Sequence, residues 1–422
     1  MSKVKIQGNA SGTGVLTITA PNTSTDRTIT LPDSTGTILD NTSTLDATKL
    51  SGDLPAISAA SLTNVPKDTT VGGRKNMIIN GAMRINQRGS VNTTDAGGEY
   101  ALDRWETYLR GGAAATVSQA TDVPSGQGFG NSLKIDVTTG DAFGTSNDLA
   151  LLRTKWEGQD LQQLAYGTSS AKTLTLSFWI KSTITGTYMC SLNNNDDNDR
   201  MNNRSYTISS ANTWEKKTLT FNGDTSAGTI NNDNTGSIEL RFWLASGSNY
   251  NTGTLSSDGN WEAYNVANQA VGHVNSLNSA SNNIYLTGVQ LELGSTATDF
   301  EHRSYGEELA LCQRYYERFI ADAGAEMLIG VGVNASATDV FINYPYKQIK
   351  RVIPSFSSSG ASHFERLTAS WGAGSSISCQ ANIATARLNM GGFPSSTTWN
   401  ATEVRITAAA NDAHWFAFDA EL

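Results

Sequence analysis

Apolar residues recur mostly at every second position, in short runs broken by clusters of Gly, Ser, Asn and Asp. That is the pattern of half-buried strands joined by turns. In LTLSFWIK, Leu174, Leu176, Phe178 and Ile180 fall on one face, leaving Trp179 and Lys181 on the other. In IELRFWL, Ile238, Leu240, Phe242 and Leu244 do the same, leaving Glu239, Arg241 and Trp243 outward. Further strands are expected at Leu133–Val137, Tyr188–Leu192 and Trp214–Phe221. The run Ile284–Leu293 admits two alternations. Tyr285, Thr287, Val289, Leu291 and Leu293 share a face in a regular strand, whereas a bulge at Gly288 puts Ile284 and Leu286 on that face instead.

After a turn at 294–298 the period changes. Ser304 and Glu307 stand in capping-box order, and Leu309, Cys312, Tyr316 and Phe319 follow at helical spacing, with Leu311 and Tyr315 widening the stripe. The spacing predicts a helix over Glu307–Phe319. Alternation then resumes at Glu326–Val333, Val340–Asn343, Ile377–Ile383, Val404–Thr407 and Trp415–Ala420, punctuated by Pro345, Pro354 and Pro394. Residues 1–75 carry only short apolar alternations, and LDATKLSGDLPAISAASLTNVP is too thin in leucine and isoleucine for a core of its own. A flexible linker and a shaft ordered by neighbouring chains both fit that segment. The expectation is an all-β chain: an extended N-terminal segment (1–75), a β-sandwich (76–303), a short linking helix (304–322) and a C-terminal β-sandwich-like domain (323–422).

Three phrases resemble a known class. GVQLELGSTATDFEHRSYGEELALCQRYYERF (288–319) is similar to a run found in bacteriophage tail fibres and related virion appendages. KNMIINGAMRINQRG (75–89) with YALDRW (100–105) resembles the opening of the same module, and residues 10–40 resemble a fibre N-terminus. The resemblance implies a jelly roll similar to carbohydrate-binding modules, attachment to other virion tail proteins through the N-terminus, and a homotrimer. The stripe Leu309, Cys312, Tyr316 and Phe319 is then expected to face other subunits. A virion location follows, after assembly in the host cytoplasm.

Composition narrows the function. The chain has 422 residues, 16% charged and 38% hydrophobic, with 39 Gly. It is apolar enough for real cores and not a disordered chain. A net charge of −9 argues against a nucleic-acid partner, which needs a basic stripe. Cys190, Cys312 and Cys379 are far apart and odd in number, so a disulfide framework is not expected. No run is long and apolar enough to suggest membrane insertion.

Catalytic signatures are missing: there is no G-x-S-x-G elbow, Walker loop or H-E-x-x-H, and residues 126–130 fail the dinucleotide pattern. No cofactor is called for. His273, His302, His363 and His414 are scattered, without metal-ligand spacing. Asp196, Asp197 and Asp199 in NNNDDNDR lack the spacing of a calcium loop and read as a solvated turn. Asp258 and Glu262 beside Trp261 are the carboxylates to try for polysaccharide cleavage, though spacing alone cannot pair them across a sheet. The expectation is a non-enzymatic structural and adhesive protein; the alternatives are a polysaccharide depolymerase, or a head-decoration or tail-tip component without a receptor role. Trp179, Lys181, Arg241 and Trp243 are the candidate glycan contacts, since rings beside hydrogen-bonding charges suit a sugar's apolar face and hydroxyls. A loop or a neighbouring subunit covering the rings is the competing reading, because large aromatics are usually buried.

Overall fold

The alternation builds strands almost throughout the computed structural model, which describes residues 75–95, 97–196, 200–255, 259–322, 324–368, 370–407 and 413–422. The proposed attachment segment, apart from Lys75, lies outside these residues, as do Asp197, Asp199 and Asp258. Strand accounts for 46% and helix for 7%, so the all-β expectation holds.

The first part contains β1 (Val91–Thr93), β2 (Gly97–Tyr100), β3 (Glu106–Arg110), β4 (Ala114–Ala120), β5 (Ser132–Thr139), β6 (Leu149–Glu157), β7 (Leu174–Ser182), β8 (Gly186–Asn194), β9 (Arg200–Ile208), β10 (Glu215–Phe221), β11 (Gly236–Ser246), β12 (Glu262–Ala263) and β13 (Asn283–Leu293). They form two antiparallel sheets, ordered β1-β4-β5-β13-β7-β10 and β12-β9-β8-β11-β6-β3-β2. The chain crosses repeatedly between the sheets, as in a jelly roll. The expected inward residues meet between them. Leu176, Phe178 and Ile180 face Leu240 and Phe242 in one core, with the Phe178 and Phe242 rings edge to face at 5.0 Å.

Strand β13 holds the centre of the first sheet, and Gly288 decides its register. Its φ is +61°, and pairing with β7 slips between Thr287 and Gln290. The bulge therefore puts Ile284, Leu286, Val289 and Leu291 all in the core, and the regular alternation is corrected. Tyr285 points outward. A Cβ on residue 288 would lie 2.5 Å from Cζ of Phe129, so only glycine fits.

The recognisable phrases come together as one joint. Asn80 has no exposed surface; its amide donates to the Ile85 and Asp103 carbonyls at 2.8 and 3.0 Å and accepts from the Ile85 N–H at 2.9 Å. Trp105 Nε1 donates to the Asn80 carbonyl, and Asn80 N donates to Glu308. Arg303 Nη1 donates to the Ile78 carbonyl and pairs with Glu308 at 3.1 Å. These phrases therefore specify a buried polar joint.

The helical stripe is corrected. With α1 a single turn at Ser248–Asn251, the joint helix is α2, Tyr305–Gln313. Ser304 Oγ caps it by accepting from Glu307 N, as the sequence indicates. The helix ends before Tyr316, and Tyr316 and Phe319 lie on a strand, β14 (Tyr316–Ala321). Aromatic residues at this point satisfy a two-residue period as well as a helical one, and a distant partner strand decides in favour of β structure. Phe319 stacks on Phe416 at 5.0 Å, Tyr316 is covered by the Arg88 guanidinium, and Cys312 is fully buried in its own chain. Leu309 is half-buried. The four residues are not one helical face offered to other subunits.

The remaining strands are β15 (Glu326–Asn334), β16 (Val340–Pro345), β17 (Ser355–Ser358), β18 (Phe364–Leu367), β19 (Trp371–Ala373), β20 (Ser376–Ala381), β21 (Thr385–Gly391), β22 (Ala401–Thr407) and β23 (His414–Asp419). They make a small sheet, β14-β23-β17, and a larger one, β19-β18-β22-β15-β16-β21-β20. Val340, Ile342, Phe364, Leu388, Ile406, Phe416 and Phe418 form the core between them. Charged pairs fasten this part to the first: Arg314 to Glu157 at 2.6 Å and Arg88 to Asp419 at 2.7 Å, with Arg104 on Glu421. Within the C-terminal part, buried Lys350 pairs with Glu317 at 2.7 Å, and Tyr344 also donates to Glu317.

Candidate functional site

The outward positions of four neighbouring strands converge on the exposed side of the first sheet. In register, Tyr285 on β13 lies opposite Lys134 on β5 and opposite Lys181 on β7. One row along, Trp179 lies opposite Thr287 and Lys216. Trp214, just before β10, stands edge-on to Tyr285 with ring centroids 6.2 Å apart. The Lys181 ammonium lies 4.3 Å from the Tyr285 centroid and 5.5 Å from that of Trp214. Trp179, Trp214 and Tyr285 are half-buried, and the Lys134 ammonium also lies over the Tyr285 ring, 5.8 Å from its centroid.

Charge is balanced across the patch. Asp122, from the loop after β4, accepts from Trp214 Nε1 at 3.0 Å and pairs with Lys181. The Lys181 hydrogen bond holds its carboxyl below the usual range; slight burial opposes this and Trp214 adds to it. For Lys134, burial pulls the ammonium down, but the hydrogen bond to Asp136 and nearby Tyr285 outweigh it and leave the pKa raised. Surface aromatic rings flanked by fixed donors and acceptors can pack against the C–H face of a pyranose and hydrogen-bond its hydroxyls.

Of the four residues singled out by sequence, Trp179 and Lys181 belong to this patch and Arg241 and Trp243 do not. The latter pair lies on the outer side of the other sheet, so the four candidate glycan contacts do not form one surface, a correction to that grouping. Trp243 is 1% exposed, packed with Leu149, Leu151, Met189 and Ala270 and tilted against Tyr250 at 5.5 Å. Its Nε1 donates to Ser191 Oγ. The segment after β11 folds back over it, pinned by Gly247 N to the Asp148 carbonyl and Ser276 N to the Leu244 carbonyl. Arg241 is held by Glu239 and Gln269, both at 3.0 Å. Tyr285 and Trp214 are the residues that reading missed; Tyr285 is found once the Gly288 bulge is accepted.

Other candidates resolve into structure. Trp261 is buried, donates to the Asn222 carbonyl at 2.8 Å and meets Tyr166 edge-on, so it is a core residue. Asp196 accepts from Asn231 N, while Arg200 is paired with Asp224. Among the described residues no group of three or more His, Cys, Asp or Glu is placed to hold a metal ion. His363 and His414 are brought together, their rings stacked 3.4 Å apart. A cleft of about 600 Å³ opens at the joint between Trp156, Leu311, Arg314 and Ile349. Its deeper polar groups are committed: Trp156 Nε1 donates to the Met77 carbonyl, and Tyr315 and Arg314 both bond Glu157.

No family model matches the sequence, and no curated protein matches it. Solved structures similar in part include the enzymatically active domain of tailspike protein 4 of bacteriophage CBA120, at 17% identity and a TM-score of 0.28 over 52% of this chain. The match spans 21% of that tailspike chain. A putative sugar-binding protein from Bacteroides thetaiotaomicron matches at 11% identity and a TM-score of 0.29, over 52% of this chain and 100% of its own. A family 11 carbohydrate-binding module from Clostridium thermocellum matches at 16% identity and 0.25, over 50% of this chain and 97% of its own.

Proposed function

We propose that this chain is a subunit of a bacteriophage tail fibre or related virion appendage, assembled as a homotrimer, whose jelly roll contacts host-surface glycans during adsorption. The observation that carries the glycan reading is the patch of Trp179, Lys181, Trp214 and Tyr285, with half-buried rings held beside a paired lysine and aspartate. The appendage reading rests on the phrases at 75–89, 100–105 and 288–319, which the fold uses as one joint. Residues 1–75 attach the subunit to other tail proteins in this proposal. The role is adhesive, with no bond broken.

The test is binding of the purified full chain to a glycan array and to polysaccharide from susceptible cells. Trp179→Ala, Trp214→Ala and Tyr285→Ala should each weaken binding tenfold or more, about 1.4 kcal/mol, the scale of one lost aromatic contact. Tm should fall by no more than about 2–8 °C. Undiminished binding in all three variants would refute the patch as the contact surface.

A further inference from the structure

The larger C-terminal sheet turns an apolar stripe to solvent along its middle. Strand β15 is hydrogen-bonded on both sides, to β22 and β16, yet its outward residues Leu328, Val331 and Val333 are 53%, 64% and 45% exposed. The register puts Ala401 and Phe341 beside Val333, which extends the stripe sideways. The core of this part is already complete on the other face, with Val340, Ile342, Val404 and Ile406 at 0–3% exposure. A central strand facing only water would carry polar residues here. An apolar stripe rimmed by charge marks a contact surface.

The two flanks differ in sign. On the β22 side stand exposed Glu403, opposite Val331, and Glu365, which shares the cation Arg405 with Glu326 at the start of β15. On the other side, strands β16, β21 and β20 contain no carboxylate, and exposed Arg387 lies over the Phe341 ring at 4.5 Å. Three strand spacings, about 14 Å, separate the acidic flank from Arg387. A surface with an apolar middle, one acidic edge and one basic edge is complementary to itself when copies are related by rotation about an axis parallel to the stripe. Each acidic edge then meets the next copy's basic edge, while the valines of all copies meet on the axis.

We propose that the outer face of this sheet, centred on Val331, is where copies of the chain associate, with Glu403 of one copy facing Arg387 of the next. The inference rests on the homotrimer reading and gives it a surface on the C-terminal part in place of helix α2.

The experiment uses the full chain with Val331→Cys in a Cys379→Ser background, under mild oxidant, with the molar mass followed by light scattering. Val331 is exposed, so the substitution leaves the monomer's core untouched. Disulfide-linked chains on a non-reducing gel are expected. Glu403→Arg alone should weaken association, and adding Arg387→Glu should restore it. A monomeric chain at all concentrations would overturn both the trimer and this surface. A stable oligomer that forms no link through residue 331 would overturn the surface alone, leaving the stripe to a host or virion partner.

Discussion

Replacing Trp243 with alanine tests whether the tryptophan outside the core is structural. The ring is 1% exposed between Leu149, Leu151, Met189 and Ala270, and its Nε1 satisfies the buried Ser191 hydroxyl. A buried tryptophan removes about 200 Å² from water, about 5 kcal/mol at 25 cal/mol per Å². Measured Trp→Ala changes in cores cost about 3–5 kcal/mol, and orphaning the Ser191 hydroxyl adds about 1 kcal/mol. The expected loss is therefore about 5 kcal/mol, or roughly 10–20 °C in Tm for a unit of this size. Because Trp243 holds down residues 247–255 and 259–275 through Tyr250, Leu255 and Ala270 and sits apart from the main core, part of the loss should appear locally. Amide exchange in those residues should speed up before β7 or β13 opens. Trp214→Ala, on the open patch, should cost no more than about 1–2 kcal/mol. A Trp243→Ala variant within 1 kcal/mol of the parent, with unchanged exchange at 247–255 and 259–275, would refute the assignment.

Lys350→Met should destabilise the chain by about 3–5 kcal/mol in urea, because it leaves Glu317 charged and unpaired where both side chains are buried. Adding Glu317→Leu should recover most of the loss, and no recovery would contradict the ion-pair account. His273 packs edge-on to Tyr188, and burial pushes its pKa down to about 4, with the Leu244 carbonyl opposing the shift only in part. A folded pKa below the unfolded value of about 6.5 means its contribution is present above pH 6.5 and is lost as pH falls toward 4, by up to about 3 kcal/mol. Thermal melts at pH 7, 5.5 and 4 check this, and His273→Gln should flatten the response in that window.

Much of the sandwich is legible in the sequence because its strands obey a period of two. Leu174–Lys181 is read nearly to its ends, and Gly288 correctly raises the alternative register of β13. Strand β6 is not legible: Leu149 to Leu152 are buried in succession, since one face packs into the core and the other lies under the segment after β11. Tyr316–Phe319 fits a helix and a strand equally until β23, about a hundred residues later, pairs with it. The candidate site is half legible for a related reason. Alternation assigns Trp179 and Trp243 to outer faces, but which sheet each belongs to is a matter of topology. Trp243 is covered by Tyr250, Leu255 and Ala270, scattered in a segment whose Asn, Ser and Gly read only as turns.

The most direct test of the central claim is hydrogen exchange on the full chain with and without saturating cell-surface polysaccharide from a susceptible host. The account predicts slowed exchange on β7, β10 and the first half of β13, around Trp179, Trp214 and Tyr285, with β8, β9 and β11 unchanged. Protection confined to the second sheet or to the C-terminal part, or none anywhere at saturation, would contradict it.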